Sequence, residues 1–158
     1  MLIAAQMIAA LLASAASGGW HLGADAQISF GEAAKPAYKL DCTGPELAVT
    51  QVGVTRLLDL QLNKPVSDTE GSTLPEGAAL MALATDKVEP NMVRAAAVRN
   101  PGNGWDMTIR LSKDDPALLS LPKAKYVSLF TTGFTQAVEL TRDDRKLLAS
   151  FVSRCRGG

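Results

Sequence analysis

The 158-residue chain holds one histidine, His21, and two cysteines, Cys42 and Cys155. A single imidazole leaves a multi-histidine metal site without its ligands, and any nucleophile–histidine triad would have to use His21. That residue falls beside Trp20 in a short Gly-flanked stretch, Gly18 to Gly23, which reads as an edge strand with His21 in solvent. There is no G-x-S-x-G, no G-x-x-x-x-G-K-[ST] and no G-x-G-x-x-G, so serine hydrolysis and nucleotide binding lack their usual motifs. Neither cysteine stands in a C-x-x-C pair, which removes the common redox and zinc spacings. The 16 basic side chains balance 16 acidic ones, so charge argues for no nucleic-acid partner and no anionic membrane surface. No repeat at solenoid spacing occurs.

The N-terminus differs in kind from the rest. Met1 to Ala16 carries no charged side chain and is shorter than the roughly 20 residues a membrane span needs. It ends in small residues, with Ala13-Ser14-Ala15 matching an A-x-A cleavage site. A second match, Ala24-Asp25-Ala26, lies downstream, but cleavage there would remove Trp20. Residues 1–16 therefore read as a signal-peptide-like segment without the usual basic n-region, and residues 17–158 as one β-rich domain. A buried apolar N-terminal helix is the alternative. Export leads to an oxidising compartment, periplasmic or secreted, with no stable membrane span left after cleavage.

Short alternating runs dominate the β-rich domain. Ala26, Ile28 and Phe30 share one strand face, and Tyr38, Leu40 and Cys42 share another, opposite Lys39 and Asp41. Leu47–Val52 and Arg56–Leu62 read as a hairpin around Gly53, with Leu58, Leu60 and Leu62 inward and Asp59 and Gln61 outward. Asn63–Gly77 is the longest loop. Ala78–Ala84 is too short an apolar run for its period to separate strand from helix, and Met92–Val98 reads as a strand mainly because a turn, Asn100–Gly104, comes after it. Trp105–Leu111 alternates most cleanly. Tyr126–Thr131 and Phe134–Leu140 form a strand pair, with Gln136 interrupting an otherwise apolar face.

Two segments carry helix signals. Asp115 with Pro116 marks an N-cap and N1 position, and that short segment ends near Pro122. Thr141-Arg142-Asp143-Asp144 resembles a capping box with Asp for Glu. It opens a helix over 142–156, on which Leu147, Leu148, Phe151, Val152 and Cys155 form one stripe and after which Gly157 suits the C′ position. The expected fold is mainly β: seven to nine antiparallel strands in a β-sandwich or half-barrel, with the C-terminal helix packed on it. Cys42 faces inward by strand alternation and Cys155 by helical period, so a Cys42–Cys155 disulfide is expected. Two buried free thiols are the alternative.

Candidate chemistry is sparse. The pairs Asp114/Asp115 and Asp143/Asp144 could serve acid–base work, but helix capping accounts for both. Asn100, Asn103 and Asp106 gather oxygens around a Gly-rich turn, which hints at calcium, but the spacing is no EF-hand and a hairpin turn is the better account. Trp20 and Trp105 could form a binding platform, although Trp105 belongs to an apolar face. The basic side chains of the last helix read as a solvated face. No catalytic residue, metal ligand or cofactor is assigned.

The order of these features resembles a group of uncharacterised exported alphaproteobacterial proteins. The resemblance rests on Trp20, Phe30-Gly31, Leu40 with Cys42, Asp115 with Leu118-Leu119, and Cys155-Arg156. Pro122 departs from the smoother helix of that group. The resemblance implies export, the disulfide and a sandwich-like fold, and it carries no activity. The expected function is an exported binding or interaction module of the cell envelope, its protein or envelope ligand unspecified. The alternatives are an inhibitor of a periplasmic enzyme acting through loop 63–77, and a hydrolase without a familiar motif.

Overall fold

The alternating stretches become the strands of two facing sheets. The structure, a computed structural model, describes residues 19–32, 34–66, 73–133 and 135–157. The signal-peptide-like segment, residues 67–72 of the long loop and Phe134 lie outside the described residues. In chain order the strands are β1 Trp20–Leu22, β2 Gln27–Glu32, β3 Lys35–Asp41, β4 Leu47–Val54, β5 Leu58–Asp59 and β6 Lys64–Pro65. Then come β7 Leu80–Thr85, β8 Val93–Arg94, β9 Ala96–Arg99 and β10 Trp105–Leu111. Helix α1 Pro116–Ser120 and a 3-10 turn, Leu121–Lys123, precede β11 Tyr126–Thr131, β12 Thr135–Glu139 and helix α2 Arg142–Gly157. The described strands thus outnumber the seven to nine expected, because several are only two or three residues long.

The larger sheet runs β1-β2-β3-β4-β10-β9, the smaller β12-β11-β7-β8, and β5 and β6 form a separate two-stranded pair, all pairings antiparallel. The fold is mainly β, an open two-sheet arrangement with a C-terminal helix, as the alternation indicates. The register of the larger sheet aligns its inward side chains in rows. One row is Leu22, Ile28, Leu40, Val49 and Ile109. The next is Trp20, Phe30, Tyr38, Gln51, Met107 and Ala97, which crosses all six strands. Leu83, Val127 and Leu129 are buried in the same core from the other sheet.

Helix α2 packs on β1, β2 and the 3-10 turn. Its capping box forms: Asp144 N–H donates to Thr141 Oγ1 (3.1 Å) and Thr141 N–H to Asp144 Oδ2 (2.8 Å). Leu148, Phe151, Val152 and Cys155 are its buried residues, while Leu147 is only partly covered. Gly157 is the last helical residue rather than the one after it. Cys42 follows β3 directly and is joined to Cys155 in a disulfide, with Cα atoms 5.1 Å apart and a sequence separation of 113.

Three local expectations are corrected. Gly53 does not turn a hairpin; β4 runs through it to Val54. The extra residue of β4 opposite β10 makes a bulge there, and Gly53 takes φ +69° with its N–H donating to Asp106 Oδ1 (3.0 Å). In the 56–62 stretch the alternation breaks down: Asp59 is 3% exposed, whereas Leu60 and Leu62 are 53% and 63% exposed, and only Gln61 takes the outward place expected of it. The cause is local. The Asp59 carboxylate accepts from the N–H groups of Gln61 (2.9 Å) and Leu62 (3.2 Å), closing a tight turn where the alternation suggested a strand. Finally, the 92–98 strand divides at Ala95, whose N–H donates to Ala79 O (2.8 Å). β8 stays with the smaller sheet and β9 crosses to the larger. Ala78–Ala84 resolves as the strand β7.

Asp59→Ala leaves two backbone donors without their acceptor. It is expected to cost about 1–3 kcal/mol in urea denaturation, with faster hydrogen exchange at Gln61 and Leu62.

Candidate functional site

The residues with chemical potential in the sequence are dispersed. His21 lies exposed on edge strand β1 with Nε2 2.9 Å from Gly31 O. Asp115 caps α1, its Oδ1 accepting from Ala117 N–H (2.9 Å), and Asp114 pairs with Arg156 at 3.2 Å. Asp144 is spent in the capping box. Asn100 and Asp106 bind each other and the turn: Asn100 Nδ2 donates to Asp106 Oδ1 (2.8 Å), and Gly102 N–H donates to Asn100 Oδ1 (2.8 Å). Among the described residues, no group of three or more His, Cys, Asp or Glu side chains could hold a metal ion. Trp20 and Trp105 are both buried, so they form no surface platform. Arg99 covers the Trp105 ring, its guanidinium carbon 4.9 Å from the centroid.

The site that the fold does assemble lies along the second inward row. Trp20, Phe30 and Tyr38 pack in succession, with ring centroids 5.1 Å and then 5.7 Å apart. Gln51 stands next to Tyr38 across the strand pair. Among the described residues four buried side-chain polar atoms have no hydrogen-bond partner; three belong to this row, Trp20 Nε1, Tyr38 Oη and Gln51 Oε1, and the fourth is Trp105 Nε1. An unmet buried donor or acceptor costs about 1–3 kcal/mol, so such a concentration calls for an explanation. Tyr38 is 2% and Gln51 7% exposed. Burial pushes the Tyr38 phenol well above its usual pKa, so it stays neutral.

Both residues line a cleft of about 350 Å³, with Ala37, the β4 end Val52 to Val54, Thr55, Arg56 and, from the opposite sheet, Gln136. Chain direction explains this wall: the Gly53 bulge turns the end of β4, and Thr55 and Arg56 continue past it. Deeper between the sheets, a void of about 10 Å³ is lined by Trp20, Tyr38, Leu40, Leu83, Val127, Leu129, Gln136 and Val138. That is at the lower limit for one water molecule, roughly 10–15 Å³. A larger hollow of about 600 Å³ lies beside Cys42, Lys113 and Arg154, but none of the buried unpaired atoms belongs to its lining.

Sequence reasoning singled out none of Tyr38, Gln51 and Arg56 as functional. A signal was present: Gln51 and Gln136 each take an inward position on an alternating strand, where an apolar residue is the rule. No protein family, curated protein or solved structure matches the chain.

Proposed function

We propose that the chain is an exported binding module of the bacterial cell envelope, and that its ligand is a small molecule held in the cleft between Tyr38, Gln51, Gln136 and Arg56. One observation carries this reading: Tyr38 Oη and Gln51 Oε1 are buried without partners in side chains that line the same cleft. Binding sites keep such groups at a cost in stability because the ligand completes them. Both oxygens are closed to solvent, so contact requires a small side-chain movement, for which Gln51 has three rotatable torsions. Binding is favoured over hydrolysis because, among the described residues, the lining offers no carboxylate, imidazole or thiol for acid–base or nucleophilic work. The Cys42–Cys155 disulfide fits an oxidising compartment and so supports export.

Gln51→Met tests the reading without knowledge of the ligand. If Gln51 Oε1 is kept for a ligand, its removal leaves stability unchanged or raises it by about 1–2 kcal/mol in chemical denaturation, and small-molecule thermal-shift responses of the parent protein disappear. A loss of more than about 1 kcal/mol would mean that the amide serves the fold instead.

One observation favours a second reading, the inhibitor. Leu60 and Leu62 protrude from a turn braced by Asp59 and by Leu60 N–H donating to Gly77 O (3.0 Å). This tip adjoins loop 63–77, and a rigid pair of exposed leucines suits a protein contact. Leu60→Ser with Leu62→Ser would abolish capture of a periplasmic enzyme if the tip is the contact, and leave cleft binding untouched.

A further inference from the structure

Resting on the cleft as the ligand site, we infer that its ligand is a small organic monocarboxylate carrying at least one N–H or O–H donor. The lining sets three conditions. Among the described residues Arg56 is the only charged one in the lining; it is exposed and has no ion-pair partner there. A guanidinium at the rim of an otherwise neutral, half-apolar cleft selects a planar anion and can hold a carboxylate through two N–H donors. One cation, with no lysine and no helix N-terminus beside it, suits a single negative charge better than the higher charge of a phosphate monoester.

Gln51 Oε1 accepts only, so the group that meets it must donate. The neutral Tyr38 hydroxyl adapts to either role, and Gln136 on β12 lines the cleft from the opposite sheet. An acylamino acid or a hydroxy acid presents this combination, a carboxylate with an N–H or O–H a few bonds away. Size sets the third condition. A volume of about 350 Å³ is near the lower end of ligand pockets, and the void between the sheets beside it, about 10 Å³, is too small to take an acyl chain. Long-chain lipids are therefore excluded from the class.

The experiment is an NMR titration of the intact protein that follows the Gln51 side-chain amide and the Tyr38 ring signals. The probes are N-acetyl amino acids and small hydroxy acids, their methyl esters, and phosphate monoesters of similar size. The acids are expected to shift both sets of signals, with the esters at least tenfold weaker. Arg56→Gln should weaken the acids by tenfold or more, whereas Arg56→Lys retains part of the preference. Arg56 is exposed, so its variants keep the parent spectrum elsewhere. Esters that bind as tightly as the acids, or Arg56→Gln without effect, overturn the monocarboxylate assignment and leave the cleft standing as a neutral-ligand site. Phosphate monoesters that bind tighter than carboxylates overturn the single-charge argument. If no probe of any kind moves the Gln51 or Tyr38 signals, the cleft is not a binding site and both readings fall.

Discussion

Converting Cys42 and Cys155 together to alanine is expected to destabilise the protein by about 4–5 kcal/mol and to lower its melting temperature by roughly 10–20 °C. The magnitude follows from the loop. The bridge spans 113 residues, from the end of β3 to the last turn of α2, so it removes much of the unfolded chain's freedom. Without it, α2 is held by Leu148, Phe151 and Val152, by its capping box, and by Arg145 Nη1 donating to Leu140 O (2.8 Å). The Arg156–Asp114 pair is exposed on both sides and adds little. Both cysteines are buried, so the parent protein should resist mild reductant until it unfolds. Urea denaturation with and without reductant, alongside non-reducing intact mass, reads the effect. A double-alanine variant that unfolds at the parent's urea midpoint would show that the closure of this loop is energetically idle.

The strands that alternation located are those whose side chains alone decide the geometry. Trp105–Leu111, Tyr126–Thr131 and the face of Tyr38 and Leu40 belong to this kind, and so does helix α2 with its capping box. Alternation failed where a polar side chain competed for the backbone. At 56–62 the leucines have the spacing of a strand, but Asp59 captures the N–H groups of Gln61 and Leu62 and turns the chain. The Ala95–Ala97 run hides the crossing between sheets because alanine gives neither face a preference, and the crossing is fixed by one long-range bond to Ala79 O. The candidate site lay further out of reach. Trp20, Tyr38 and Gln51 stand side by side only because β1 to β4 pair in one particular register, and the cleft exists only where β12 of the other sheet faces them. The two inward glutamines were visible in the sequence, but their joint meaning depends on a sheet-to-sheet contact across 85 residues of chain (Gln51 to Gln136).

Gly104→Ala should have an effect on stability second only to loss of the disulfide, and it should reach the cleft as well. Gly104 holds φ +72°, a region that costs an L-residue on the order of 1–2 kcal/mol. The added methyl would also press on the backbone carbonyl of Val54, with the Thr55 Cγ2 at 2.9 Å. Backbone yields less readily than a side-chain end, and forced overpacking costs about 1–3 kcal/mol more. The expected total is about 2–5 kcal/mol in urea denaturation. The atoms that must retreat belong to Val54 and Thr55, which form the cleft wall between Gln51 and Arg56. Gly53 next to them is tied to Asp106, so the wall cannot slide freely along β10 and must bend instead. NMR shifts in Gly104→Ala should therefore concentrate at Gln51 to Arg56 and their β10 partners, with carboxylate binding weakened while the α2 signals stay in place. Gly157→Ala is the control, since nothing lies near the added methyl at that position. Equal stability loss in the two variants would refute the steric argument. A large loss in Gly104→Ala with unchanged binding would show that the Val54–Thr55 wall takes no part in holding the ligand.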